Sequence, residues 1–303
     1  MSGRLPKVQN MFKGSIPALV TPMRADGTVD HEAWQRLLDW HVAEGTDAIV
    51  VGGTTGESPT LETSELAELV SRARERIDGR IPVIAGSGTN STAKTIELSR
   101  ELAEAGADAL LAVTPYYNKP TQEGLFRHFT AVADAVDIPL LLYNVPGRTA
   151  CDLLPETVVR LSKHPLIAGI KEATGDLSRA ETILHGARPG FQLVSGDDPT
   201  AAELMKRGAC GVISVTANVA PRAMHDMCAA ALAGQHTQAA SINEKLMPLH
   251  LAMFVEANPI PVKWAVARLG LIGPAIRLPL TPLSERLHDD VLAAMKAAGI
   301  TGA

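Results

Sequence analysis

A lysine at the end of an apolar run is the first residue of this chain whose setting implies chemistry. Lys171 follows Leu166-Ile167-Ala168-Gly169-Ile170, so its stem leaves a strand-like run and its amine is held where an ammonium is poorly solvated. Burial favours the neutral amine, and a neutral lysine attacks carbonyl carbons to form Schiff bases. The bland alternative is a lysine that reaches solvent or pairs with Glu172. Four other polar clusters follow apolar runs of the same kind: Gly53-Thr54-Thr55-Gly56-Glu57-Ser58, Pro115-Tyr116-Tyr117-Asn118, Tyr143-Asn144-Val145-Pro146-Gly147-Arg148 and Ser195-Gly196-Asp197-Asp198. All three tyrosines of the chain stand in these clusters. One could be chance, but three tyrosines gathered with a lysine point to a shared site.

An imine made from a 2-oxo acid carries a carboxylate beside the linkage. Thr54 and Thr55, set among glycines, supply hydroxyls and backbone N–H groups that suit it, although a Gly-Thr turn taken singly is most often only a turn. Imine and carbon–carbon bond formation both move protons at one carbon and one oxygen. Tyr143, Thr54 and Tyr117 can relay them, against the plain reading of tyrosines that pack a core and need one hydrogen-bond partner each. Arg148, after a Pro-Gly turn, offers a permanent fork-shaped cation for a second substrate's carboxylate; a surface ion pair is its bland reading.

Positioning such residues requires a scaffold that brings strand ends together. Apolar, β-branched runs cover 15–21, 48–53, 81–85, 109–114, 139–143, 166–170, 192–195 and 211–215, alternating with segments of helical period. Helices are expected at 62–78, capped at or near Thr60 and ended by Gly79, and at 92–105, after Asn90-Ser91 and before Gly106. Eight strands each followed by a helix form the pattern of a (β/α)8 TIM barrel, whose site lies at the carboxyl ends of its strands. A doubly wound sheet would give a similar string with fewer units. Past about residue 234 the strand runs cease, and helices are expected near 238–256, 261–269 and 282–298. The chain thus divides into a loose N-terminal extension (1–10), a catalytic barrel (11–233) and a C-terminal helical appendage (234–303).

With 46% hydrophobic and 20% charged residues and a net charge of -5, the composition is that of a protein with a large core. No basic stripe is present that could track nucleic acid, and no run is long enough to span a membrane. Residues 1–10 lack a signal-peptide core. Cys151, Cys210 and Cys228 have neither metal-ligand spacing nor an even count for a disulfide framework, which fits a cytoplasmic setting. The nine histidines show no paired ligand spacing, so no metal or other cofactor is expected. There is no Gly-Lys-Ser/Thr phosphate loop and no Gly-x-Ser-x-Gly elbow. Gly86-Ser87-Gly88-Thr89-Asn90-Ser91 lacks the third glycine of a dinucleotide loop.

In order along the chain, Gly-Thr-Thr-Gly-Glu (53–57), Thr-Pro-Tyr-Tyr-Asn (114–118), Tyr-Asn-Val-Pro-x-Arg-Thr (143–149), Ile-Lys-Glu-Ala-Thr (170–174), Ser-Gly-Asp-Asp (195–198) and Gly-Val-Ile-Ser-Val (211–215) resemble the dihydrodipicolinate synthase family. That family sits among the class I pyruvate aldolases together with N-acetylneuraminate lyase. The likeness runs from Met11 to about Ala298. It implies a Schiff base between Lys171 and pyruvate, with Thr54 and Thr55 on the pyruvate carboxylate. Tyr143, Thr54 and a neighbouring subunit's Tyr117 would form the relay, Arg148 would bind the carboxylate of L-aspartate 4-semialdehyde, and the main chain at Gly196 and Ile213 would line the site. It also implies a homotetramer built as a dimer of dimers, and a product that feeds diaminopimelate and lysine synthesis.

Many members of that family are inhibited by lysine. The matching positions here are Ser58, Pro59, Thr63, Leu66, Asn90, Lys94 and Tyr116. Lys94 replaces a carboxylate, and Thr63 and Leu66 replace histidines, so weak or absent feedback is expected. Ala150 stands where a glycine often follows Arg-Thr, with a local backbone effect expected. The rivals are another Schiff-base pyruvate aldolase, acting on a sialic acid or a hydroxylated 2-oxo acid, and a catalytically silent barrel that only binds a 2-oxo acid.

Overall fold

The computed structural model describes residues 11–300. The extension expected over 1–10 lies outside the described residues, as do Thr301, Gly302 and Ala303. The chain runs β1 (Gly14–Pro17), α1 (His31–Ala43), β2 (Ile49–Val51), α2 (Thr63–Ile77), β3 (Val83–Gly86), α3 (Thr92–Glu104), β4 (Ala109–Val113), α4 (Gln122–Asp134) and β5 (Leu140–Asn144). It continues with α5 (Pro146–Thr149), α6 (Pro155–Leu161), β6 (Ile167–Glu172), α7 (Leu177–Gly186), β7 (Gln192–Ser195), α8 (Ala201–Lys206), β8 (Gly211–Ser214) and α9 (Pro221–Leu232). The final helices are α10 (His236–Ala252), α11 (Ile260–Arg268) and α12 (His288–Ala297).

The strands form one eight-stranded sheet in which every neighbouring pair is parallel. β8 pairs with β1, and a bridge between Ala18 and Val50 joins the β1 and β2 ends. This is the (β/α)8 barrel. Alternation along the strands, interrupted in β6, builds two apolar layers. Ile16, Val50, Ile84, Leu111, Leu141, Val194 and Ile213 fill the barrel, while Ile49, Val83, Leu110, Leu142, Leu193 and Val212 face the surrounding helices.

All eight expected runs are strands, and their ends explain the differences from expectation. β6 continues through Glu172, which places Lys171 inside the strand. α2 is capped by Glu62 in a reciprocal box with Glu65, and not by Thr60, whose hydroxyl donates to the Glu57 carbonyl. Its buried residues Leu66, Leu69, Val70, Ala73 and Ile77 make one helical stripe. Asp78 (φ 48°) and Gly79 (φ 70°) then turn the chain in the left-handed region. Of the last expected helical stretch only 288–297 is α-helix, preceded by a short 3-10 turn at Glu285–Leu287.

His41 on α1 is wholly buried beside Thr46, with its Nδ1 3.1 Å from the Thr46 hydroxyl. Burial pushes its pKa down to about 3. A histidine held neutral when folded and titrating near 6.5 when unfolded gives full stability above that value. The stability is lost as pH falls from 6.5 toward 3, at about 1.4 kcal/mol per pH unit. We expect denaturant-unfolding free energies to drop between pH 7 and 5 by about 2 kcal/mol less in His41→Gln than in wild type; equal drops would contradict this account of His41.

Candidate active site

Lys171 points into the barrel because of an irregularity in β6. Strict alternation from outward Ile167 would aim residue 171 outward. The register slips between Leu140 and Leu141 of β5, however, so that Ile167 pairs with Leu140 but Gly169 pairs with Leu141. Ala168 is the extra residue of this bulge, and the bulge inverts the facing of everything after it. Gly169 is required there: a Cβ would lie 2.1 Å from the Gln192 carbonyl oxygen and 2.9 Å from Leu141. Lys171 then falls between two inward neighbours, Tyr143 of β5 and Val194 of β7. It is 6% exposed, with its Nζ 4.1 Å from the centroid of the Tyr143 ring.

Glu172, the sequence neighbour that could have neutralised this amine, faces the opposite way. It accepts from Arg179 Nε at 3.0 Å, from Asn144 Nδ2 at 3.2 Å and from the Thr174 N–H at 2.9 Å. Arg179 also donates to Asp152 at 2.7 and 3.1 Å. This outer network ties the residue after Lys171 to Asn144, the residue after Tyr143, and so fixes both strand ends from behind. Among the described residues no hydrogen bond or ion pair engages the Lys171 amine.

Gly196, just past β7, gives the lysine stem its room. A Cβ there would stand 2.5 Å from the Ala173 Cβ and 2.9 Å from the Lys171 Cε. Gly196→Ala is expected to displace the amine and lower kcat by tenfold or more while the fold survives, since misplacing a reacting group by about 1 Å costs on the order of a hundredfold. Steady-state rates and a thermal melt check this; unchanged kcat would contradict it. Ile213 lies on the inner face of β8, the strand that pairs with β7.

Thr54 and Thr55 lie on a tight turn after β2. The turn is closed by Gly56 N–H to Gly53 C=O (3.0 Å) and Glu57 N–H to Thr54 C=O (3.1 Å). Thr55 is buried and its hydroxyl oxygen accepts from Asn258 Nδ2 at 3.0 Å. Thr54 is half-buried, and its hydroxyl makes no hydrogen bond among the described residues. Glu57 holds the far side of the turn through a buried ion pair with Lys263 of α11 and a 3.0 Å bond from the Arg277 N–H. Burial pushes the Lys263 pKa down against the opposing pull of Glu57.

Arg148, on α5, is exposed, and its Nη2 donates to the Asn258 carbonyl at 3.3 Å. Ala150, the cap of α5, sits at φ 52°, in the left-handed region that favours glycine. Tyr117 does not close on Lys171 within one chain. It has φ 74° and is 87% exposed, on a loop tied down by Asn118 Nδ2 to the Asn90 carbonyl (2.8 Å).

Asn258, Lys263 and Arg277 carry no local sequence signal that marks them for the site, and Glu57 stands out only as a member of the cluster at 53–58, with no role attached. The non-helical gap near 257–260 was visible, but nothing in the sequence connected it to a turn some two hundred residues earlier. Among the described residues no cluster of three or more His, Cys, Asp or Glu could hold a metal ion, and no helix is long and apolar enough to cross a membrane.

Known proteins match nearly the whole of this chain. A 4-hydroxy-tetrahydrodipicolinate synthase of Ectopseudomonas mendocina is 59% identical over 96% of this chain and 99% of its own length, and one of Stutzerimonas stutzeri is 58% identical over the same shares. The crystal structure of a chloride-inhibited dihydrodipicolinate synthase from Acinetobacter baumannii complexed with pyruvate superposes with a TM-score of 0.94. It is 51% identical, covering 95% of this chain and 99% of that one. The model of the dihydrodipicolinate synthetase family matches residues 11–298, a span that takes in the barrel and the helices that follow it, and the chain is a member of that family.

Proposed function

We propose that this chain is a 4-hydroxy-tetrahydrodipicolinate synthase that condenses pyruvate with L-aspartate 4-semialdehyde through a Schiff base on Lys171. The observation that carries the reading is a buried amine at the barrel mouth with a tyrosine ring against it and, among the described residues, no carboxylate paired with it. Lys171 Nζ attacks C2 of pyruvate, and the carbonyl oxygen leaves as water once protons have been delivered. The imine withdraws electrons, so C3 gives up a proton and becomes an enamine carbon. That carbon attacks the aldehyde of the second substrate, whose oxygen takes a proton to become the product hydroxyl. The substrate's own amine then adds to C2, closes the ring and expels Lys171, so that overall one water is released.

Thr54 and Thr55 hold the pyruvate carboxylate, the main chain at Gly196 and Ile213 lines the site, and Arg148 binds the carboxylate of the second substrate. Tyr143, Thr54 and the partner subunit's Tyr117 move the protons. A tyrosine ring standing 87% in solvent fits a residue presented to a neighbour, and we read the assembly as a homotetramer, a dimer of dimers, in the cytoplasm. The barrel over 11–233 carries the chemistry and the helices from 234 onward brace it. No cofactor takes part.

Feedback by lysine is weak or absent in this reading. Leu66 is buried and packs against Gly52, while Thr63 and Lys94 are exposed. A cation at position 94 repels the ammonium groups of lysine. The test is the initial rate with both substrates, coupled to the downstream reductase, with and without lysine. Robust turnover with no half-maximal inhibition below about millimolar lysine is expected. Absence of turnover with pyruvate still trapped on Lys171 would move the assignment to another aldehyde acceptor, and inhibition at micromolar lysine would overturn the view of the pocket.

A further inference from the structure

Asn258 touches both groups assigned above to carboxylates. Its side chain is 5% exposed and lies in the segment between α10 and α11. Nδ2 donates to the Thr55 hydroxyl oxygen at 3.0 Å, and its main-chain carbonyl accepts from Arg148 Nη2 at 3.3 Å. Its amide oxygen is buried without a partner among the described residues. An asparagine present for packing alone would satisfy both ends of its amide.

A threonine hydroxyl has one proton to donate and lone pairs to accept with, whereas a carboxylate only accepts. When an amide N–H occupies a lone pair of the Thr55 oxygen, the Thr55 proton cannot be directed back at that amide. It is left for an acceptor elsewhere.

We propose that Asn258 is a positioning residue that keeps the Thr55 hydroxyl oriented as a donor toward the 2-oxo-acid carboxylate, and that its backbone keeps Arg148 in register with that threonine. The inference rests on the reading of the site given under Proposed function. The placement also gives the C-terminal helices a part in substrate binding. Lys263 and the Arg277 N–H grip Glu57 while Asn258 grips Thr55, so one turn is held at two points by residues from beyond the barrel strands.

Asn258→Asp keeps the shape and replaces the donor by an acceptor, which draws the Thr55 proton away from the substrate. KM for pyruvate is expected to rise about tenfold or more, with kcat changed by less than about threefold. In a Thr55→Val background the same substitution is expected to change KM for pyruvate by less than about twofold, because the group it acts through is gone. Asn258→Ser, which retains a small donor, is expected to fall between the two and serves if the aspartate variant does not fold. An unchanged KM for pyruvate in folded Asn258→Asp overturns the proposal. So does an equal rise with and without the Thr55 hydroxyl, which is the mark of a merely structural role. Borohydride trapping of pyruvate by the wild type separates the two levels: trapping at Lys171 with an unchanged KM in the variants removes this inference alone, while failure to trap removes the site reading and the inference with it.

Discussion

Lys171→Ala is expected to lower turnover by at least about a thousandfold, a loss of about 4 kcal/mol of transition-state stabilisation, and to abolish trapping of pyruvate by borohydride. Among the eight described barrel strands only β6 contains a lysine, so no other strand supplies a nucleophile in its place. The fold should not suffer. The amine makes no hydrogen bond among the described residues, and a buried polar group without a partner is a cost to the folded state. The variant's melting temperature is therefore expected to equal or exceed that of the wild type. Such a pairing of lost activity with kept stability separates a functional group from a structural one. A variant that retains more than about a tenth of the activity, or that unfolds, would contradict the assignment.

The second large effect is one of stability. Lys263 and Glu57 are both almost fully buried and paired with each other. Among the described residues, Lys263→Ala leaves the Glu57 carboxylate with one remaining hydrogen bond, from the Arg277 N–H. Removing one partner of a buried pair costs about 3–5 kcal/mol, because the other charge stays desolvated. Replacing both, with Lys263→Met and Glu57→Gln, is expected to restore much of that loss, since two neutral groups of similar size carry no such penalty. Unfolding by urea measures it. Because Glu57 ends the turn that carries Thr54 and Thr55, the single variant is also expected to raise KM for pyruvate. A loss under about 1 kcal/mol would show that the pair is not what holds the turn.

The strands were legible because buried parallel strands read as short continuous β-branched runs, and the candidate site residues stood out because polar residues interrupt those runs at their carboxyl ends. What decides the direction of Lys171 was not legible. The composition of β6 does not announce the bulge at Ala168, and simple alternation from Ile167 would have turned the lysine outward. Gly169 was the available clue, since a glycine inside a strand often marks a bulge or a close backbone approach. The alternative pairing of Lys171 with Glu172 could be set aside only once the two side chains were seen on opposite faces, with Glu172 committed to Arg179 and Asn144.

Residues that act across long sequence separations were invisible for a different reason. Asn258 reaches Thr55, and Lys263 reaches Glu57, across more than two hundred positions; no local pattern encodes such a contact. Tyr117 illustrates the opposite limit. Its type and place marked it for the chemistry, yet one chain leaves it in solvent, and the resemblance alone supplied the neighbour that it would serve.

The whole reaction proposed for this barrel turns on Lys171 being the amine that holds pyruvate. The most direct test is reduction of the wild-type enzyme with borohydride in the presence of pyruvate, followed by peptide mapping of the adduct by mass spectrometry. One reduced adduct per chain is expected, on the peptide containing Lys171. An adduct on a different lysine, or none in an enzyme that still turns over both substrates, would contradict it.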